Sequence, residues 1–212
     1  MPPPRSDLGR LIELMTTRRV YDPWQDLARR SGVALRWHSG DVGRFRNPFA
    51  VTNFRELSVS FSVGMPDWQM RATCAHECAH LDRGPITPSE LAREEERVDL
   101  LAAQRLIDPA LFEALVQTYP EPSATQIHQV LRTSEDHFAI YEQWRRGAGK
   151  QTAFLAWEQD LQPWPAPWIE NHASDMPTAT LRAMAANEAD TDFDSTSSGR
   201  MGTFAWLPEI NH

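Results

Sequence analysis

The 212-residue chain is predicted to be an α+β domain in which a small sheet precedes a long helix bearing two histidines. Three observations predict it. Val33, Leu35 and Trp37 alternate with polar neighbours, as do Leu57, Val59, Phe61 and Val63, which is the period of a half-buried strand. Pro66-Asp67 then opens a stretch in which Trp68, Ala72, Ala75 and Ala79 recur at helical spacing, and Gly84-Pro85 closes it. A second helical stretch follows and stops before Asp108-Pro109.

The remaining elements follow in order. Leu8, Leu11, Ile12 and Met15 give Asp7 to Met15 helical spacing, and Trp24 to Ala28 continues in kind after the breaker Pro23. Asp41 to Asn53 is loop-rich, with Gly43 and Pro48, and Phe49-Ala50-Val51 is a candidate third strand. Thr87-Pro88-Ser89-Glu90 fits a capping box with proline at the first helical position, and the helix it opens runs to Ile107. Its apolar stripe passes through Leu91, Val98, Ala102 and Leu106. Steps of three and four residues put Glu95 on that stripe and direct Glu94 and Glu96 elsewhere. A carboxylate on a buried helix face is costly unless it is paired or bound to a metal. Glu95 is thereby singled out, with a salt bridge to Arg71 or Arg83 as the alternative to a metal. Ser123 to Leu131 and Glu135 to Trp144 read as helix, turn, helix around Arg132-Thr133-Ser134. A pair that packs to finish the core is favoured over a DNA-reading motif, because local positive charge is sparse.

Lys+Arg 21 against Asp+Glu 29 gives a net charge of −8, which argues against a general nucleic-acid or anionic-membrane binder. Met1-Pro2-Pro3-Pro4-Arg5 lacks the apolar run of a signal peptide, and no stretch approaches ~18 consecutive apolar residues. Two cysteines, Cys74 and Cys78, make no disulfide framework. A soluble, cytoplasmic protein is expected, with no membrane and no direct nucleic-acid partner.

The chemistry concentrates in His76-Glu77-Cys78-Ala79-His80. Positions i and i+4 share one helix face, so both imidazoles can reach one metal ion, with Glu77 beside its water as a general base. A catalytic Zn2+ takes three protein ligands and keeps one position open. His76, His80 and Glu95 make that set. Asp99, one turn past Glu95, is placed to accept the outer N–H of a ligand histidine and fix its tautomer, with a plain surface salt bridge as its alternative. The order Cys74-x-His76-x-Cys78-x-His80 also suggests a structural zinc cluster. On a helix, however, the cysteines project about 200° away from the histidines, by the ~100° advance per residue. They are expected to pack as small apolar residues.

Two stretches carry a resemblance. Residues 71–84 (RATCAHECAHLDRG), followed by 95–107 (EERVDLLAAQRLI), resemble the ImmA/IrrE family of zinc metallopeptidases, in its short actinobacterial and phage-type forms. Tyr21-Asp22-Pro23-Trp24 and the strand before the first stretch fit as well, and the likeness extends from about residue 20 to about 145. It implies a zincin-like (gluzincin) core and limited proteolysis of a protein partner, a helix-turn-helix transcriptional repressor. Val98 stands where alanine is usual, Pro85 where histidine is frequent, and about sixty residues continue beyond the likeness. The first two departures are peripheral to chemistry. The rival expectation is a zinc-binding regulatory or DNA-binding protein of the same fold without turnover, against which an intact Glu77 argues. The strand Leu57 to Val63 is expected to align an extended substrate by edge pairing.

Residues 1–149 are thus read as a metallopeptidase domain with a C-terminal helical pair, and 150–212 as a Trp/Pro-rich and acidic extension. Trp157, Trp164 and Trp168 cluster there with Pro163, Pro165 and Pro167, a density that packs or binds something. From Asn171 the chain holds six acidic and two basic residues. Residues 189–200 have the composition of a disordered segment, and 201–212 are apolar again, as a docking segment or a cap would be. An oxyanion donor is sought among His128, His137, Tyr119 and Tyr141, each of which has a structural alternative. His38 and His172 carry less signal.

Overall fold

A computed structural model describes residues 5–148 apart from 44 and 47, together with 164, 166, 168 and 169. Among the described residues the chain is mixed α and β, with seven α-helices and one three-stranded sheet. Helices α1 (Arg5–Thr17) and α2 (Pro23–Ala28) precede strands β1 (Ala34–His38), β2 (Ala50–Asn53) and β3 (Ser58–Ser62). Then come α3 (Asp67–Arg83), a 3-10 turn (Pro88–Glu90), α4 (Leu91–Leu106), α5 (Pro109–Thr118), α6 (Ala124–Val130) and α7 (Glu135–Ala148). No helix among the described residues is long and apolar enough to cross a membrane.

The sheet order is β1-β3-β2, with β1 parallel and β2 antiparallel to β3. This corrects the expectation that the strand at 57–63 offers an edge. β3 is central and hydrogen-bonded on both sides, so the edge beside α3 belongs to β2. Burial follows from the same order. Val59 and Phe61 are fully buried. Their register partners Leu35 and Trp37, on the same face of the outer strand β1, remain 48% and 56% exposed. Trp37 reaches cover only partly, with its ring 6.5 Å from Trp24 and 5.9 Å from Phe61. Leu57 takes a positive φ of 44° at the turn into β3. The left-handed backbone costs a leucine about 1–2 kcal/mol, which its complete burial offsets.

Helix α3 is the spine. Ala72 and Ala75 pack into one apolar cluster with Leu106, Leu115, Ile127, Phe138 and Tyr141, whereas Cys74, Cys78 and Leu81 pack into a second with Val59 and Phe61. A helix buried on two sides needs small residues, and alanine and cysteine let its neighbours approach. Both thiols are free and buried, directed at the carbonyl of Pro23 at 3.4 and 3.7 Å, as their apolar reading anticipates. Helices α6 and α7 finish the first cluster through Ile127, Phe138 and Tyr141. In α1 only Leu11 of the four spaced apolar residues is buried.

Helix α4 departs from its predicted phase. Its buried face carries Glu94, Val98, Ala102 and Arg105, while Leu91 is exposed. The side chain of Glu94 is 3% exposed and that of Glu95 42%. Burial of a carboxylate therefore points to Glu94, and the reason is its partner. Arg83 at the end of α3 donates to both oxygens of Glu94, through Nε to Oε1 and through Nη2 to Oε2 at 2.8 Å. The capping box does not form either. Thr87 Oγ1 donates to the carboxylate of Glu90 at 2.7 Å, and residues 88–90 turn as a 3-10 segment before the α-helix begins.

The described residues of the extension pack back onto the domain. Ala166 and Ile169 are buried in the second cluster. Trp164 Nε1 donates to Ser31 O at 2.9 Å, and Trp168 Nε1 donates to Leu81 O at 2.6 Å. Gly84 (φ +83°) is required here, because a Cβ would stand 2.6 Å from Trp168 Cγ. The expectations for 171–212, including the disordered stretch, the apolar segment at 201–212 and His172, lie outside the described residues.

Candidate metal centre and active site

Two helices build the site. One turn of α3 separates His76 from His80, and their Nε2 atoms face each other at 3.0 Å. Glu95 on α4 brings Oε2 to 3.3 Å from His76 Nε2 and Oε1 to 3.6 Å from His80 Nε2. The three donor groups lie within 4.8 Å of one another. A tetrahedral ion with bonds of about 2 Å holds its ligand atoms ~3.3 Å apart, so the trio fits one metal ion. Glu95 reaches this position from a half-exposed face of α4. The salt-bridge alternatives for it do not occur, since Arg83 is engaged by Glu94. Arg71 donates to the backbone carbonyls of Tyr21, Leu131 and Arg132.

Asp99 stands one turn further along α4, with Oδ1 2.8 Å from His76 Nδ1. A carboxylate there takes the Nδ1–H, which leaves the Nε2 lone pair for a metal. Burial pulls the imidazolium of His76 down, but hydrogen bonds to Asp99 and Glu95 outweigh it and raise the group to about 10. Hydrogen bonds to His76 and His80 hold Glu95 far below the ordinary carboxylate range. Without a cation the two carboxylates favour a positive charge on His76. A divalent ion satisfies the same demand.

Glu77 is buried at the same level, and Thr52 Oγ1 on β2 donates to its Oε2 at 2.5 Å. Nothing in the sequence around Thr52 marks it, because the pairing depends on β2 lying against α3. Below His80, a second contact of tertiary origin anchors the helix. Asp82 accepts from Arg30 at 2.5 and 3.0 Å and from Arg105 at 2.8 Å. Arg30 in turn reaches Asp26, which accepts from Tyr21 Oη at 2.6 Å. This charge network ties the end of α3 to α2 and α4.

Two cavities meet at His76 and Glu77. One, of about 680 Å³, also takes in His80 and Glu95 and is walled by Phe45, Phe54, Ile86 and Leu91. The other, of about 470 Å³, is lined by Trp68, Asp99, Ser134 and His137. Of the candidate oxyanion donors only His137 reaches a cavity with the site. His128 lies flat on Trp68, with ring centroids 3.9 Å apart, and bonds Glu135 at 2.9 Å. Tyr141 is in the core against Phe112, and Tyr119 packs beside it. His38 bonds Gly40 O at 2.9 Å.

No family model, curated protein or solved structure matches the chain. The geometry therefore carries the functional reading.

Proposed function

We propose that the protein is a zinc-dependent endopeptidase with a zincin-like (gluzincin) core that performs limited proteolysis of a protein partner. The observation that carries the proposal is the convergence of His76, His80 and Glu95 with Asp99 behind His76 and Glu77 alongside. Zinc, when bound, supplies a Lewis acid that makes water acidic near neutral pH. The chain's own residues do the rest. Glu77 takes the water's proton on the oxygen that Thr52 leaves free and passes it to the departing amine nitrogen. Thr52 fixes the other oxygen and so the direction of the base. Ala50 to Asn53 of the edge strand β2 line the larger cavity, which supports alignment of an extended peptide there in place of β3.

The resemblance to ImmA/IrrE peptidases makes a helix-turn-helix repressor the preferred substrate. The test is to identify the product of the neighbouring gene and incubate it with the zinc-loaded full chain, in parallel with Glu77→Gln. Cleavage by the wild type and at least ~10²-fold slower cleavage by the variant are expected, as for loss of a general base. Cellular function that survives Glu77→Gln would instead assign a binding protein without turnover.

A further inference from the structure

We infer that Trp168, in the extension beyond the stretch that resembles known peptidases, is a positioning residue for substrate. It braces two irregular walls of the larger cavity, Phe54 on one side and residues 84–86 on the other, and so sets which apolar side chain the cavity admits. The inference rests on the peptidase reading above and adds a determinant of its specificity.

The cavity that takes in His80 and Glu95 has an apolar wall of Phe45, Phe54, Ile86 and Leu91. Phe45 and Leu91 are exposed large apolar side chains of the domain, which suits them to a partner that covers them. Neither Phe54 nor Ile86 is held by regular structure. Strand β2 ends at Asn53, paired with Ser58, so Phe54 is the first residue past the ladder. Helix α3 ends at Arg83, and residues 84–87 lead to the 3-10 turn with neither helix nor strand. Trp168 touches both segments. Its ring stands perpendicular to that of Phe54, with centroids 5.3 Å apart. It also lies so close to Gly84 that a Cβ there would be 2.6 Å from its Cγ.

The indole is itself fixed. In a continuing helix Leu81 O would accept from the N–H of residue 85, and Pro85 has none. Trp168 Nε1–H takes that carbonyl at 2.6 Å. Beside it Ala166 and Ile169 are buried, and the Ile169 N–H closes a turn onto Ala166 O at 2.9 Å. A rigid ring thus fills the space behind Phe54. Without it the Phe54 side chain can fall back into the gap, and the cavity loses its shape. Contact energy is steep in distance, since a gap of about 0.5–1 Å forfeits a quarter to a half of each contact. The effect falls on fit and not on chemistry. Thr52, which bonds Glu77, sits in the ladder opposite Val59 and is held there without Phe54.

The test uses the zinc-loaded full-length chain and a synthetic library of random dodecapeptides, with cleavage sites read by mass spectrometry. The wild type should select an apolar residue at one fixed position near the scissile bond. Alanine at that position in one cleaved peptide should lower kcat/KM by at least ~10-fold. Trp168→Ala should raise KM for the parent peptide roughly 10-fold, with kcat within about twofold and zinc content unchanged, as for lost uniform binding. It should also shrink the penalty for alanine. Phe54→Ala should do the same, and the double variant should cost less than the sum of the singles. If Trp168→Ala fails to fold, Trp168→Leu, which fills the gap in part, carries the comparison with Phe54→Ala. Wild-type KM and a wild-type alanine penalty in these variants, alongside an inactive Glu77→Gln, overturn the inference and leave the peptidase reading standing. So does a wild type with no apolar preference at any position, or a KM change accompanied by loss of kcat or zinc. Absence of any cleavage by the zinc-loaded wild type overturns both.

Discussion

Nδ1 of His76 lies 2.8 Å from Oδ1 of Asp99. The contact spans two helices and turns the opposite nitrogen of the ring towards His80 and Glu95. Asp99→Ala should therefore keep the fold but weaken zinc binding by ~10–100-fold, the usual cost of losing a carboxylate behind a histidine ligand. Competition with a chromophoric chelator measures it. Unchanged affinity would return Asp99 to an ordinary surface role.

Neighbouring carboxylates on α4 separate cleanly. Glu95→Ala should lose zinc with little change in the stability of the metal-free protein. Glu94→Gln should keep zinc and lose about 1.5–3 kcal/mol, the range for a buried charged hydrogen bond. The pH dependence carries a sign. The hydrogen bond from Arg83 holds Glu94 below the ordinary range. Its stabilisation is thus complete above the unfolded value of about 4.3 and is lost as pH falls through the folded value. In Glu94→Gln, denaturant midpoints should fall less steeply on acidification below about pH 5. An unaltered slope would mean that Glu94 and Arg83 are not paired in solution.

Thr52→Val removes the hydroxyl that aims Glu77 and preserves shape and β propensity. Zinc content should stay at wild type while kcat drops roughly 10-fold or more, since a hydrogen bond to a charged group is worth about 1.5–3 kcal/mol. KM should hardly move. A rate equal to wild type would show that Glu77 needs no support from β2.

Gly84→Ala adds one methyl that has no room beside Trp168 and places alanine at φ +83°. The expected loss is at least about 1–2 kcal/mol from the left-handed backbone alone, read by thermal unfolding. Trp168→Ala should relieve the clash part of that loss, so the double variant should cost less than the sum of the singles. Additive losses would place Trp168 away from Gly84.

Much of this molecule is legible from local signals. The spacing of His76 and His80, the breakers Pro66 and Gly84, and the alternation of Leu57, Val59 and Phe61 report on period and backbone, which short stretches carry by themselves. They suffice for the α+β class and for the helix that presents the histidines. Burial falls on Glu94 and not on Glu95, because an apolar stripe cannot reveal that Arg83 lies opposite Glu94 and makes its burial tolerable. Other relationships join residues far apart in the chain. Thr52 meets Glu77, His137 lines a cavity with His76, Asp82 is gripped by Arg30 and Arg105, and Trp168 closes over Gly84. The order β1-β3-β2, which gives the edge beside α3 to β2, belongs with them. Periodicity tells which face of an element is apolar. Which polar groups meet across that face is decided only when the elements pack.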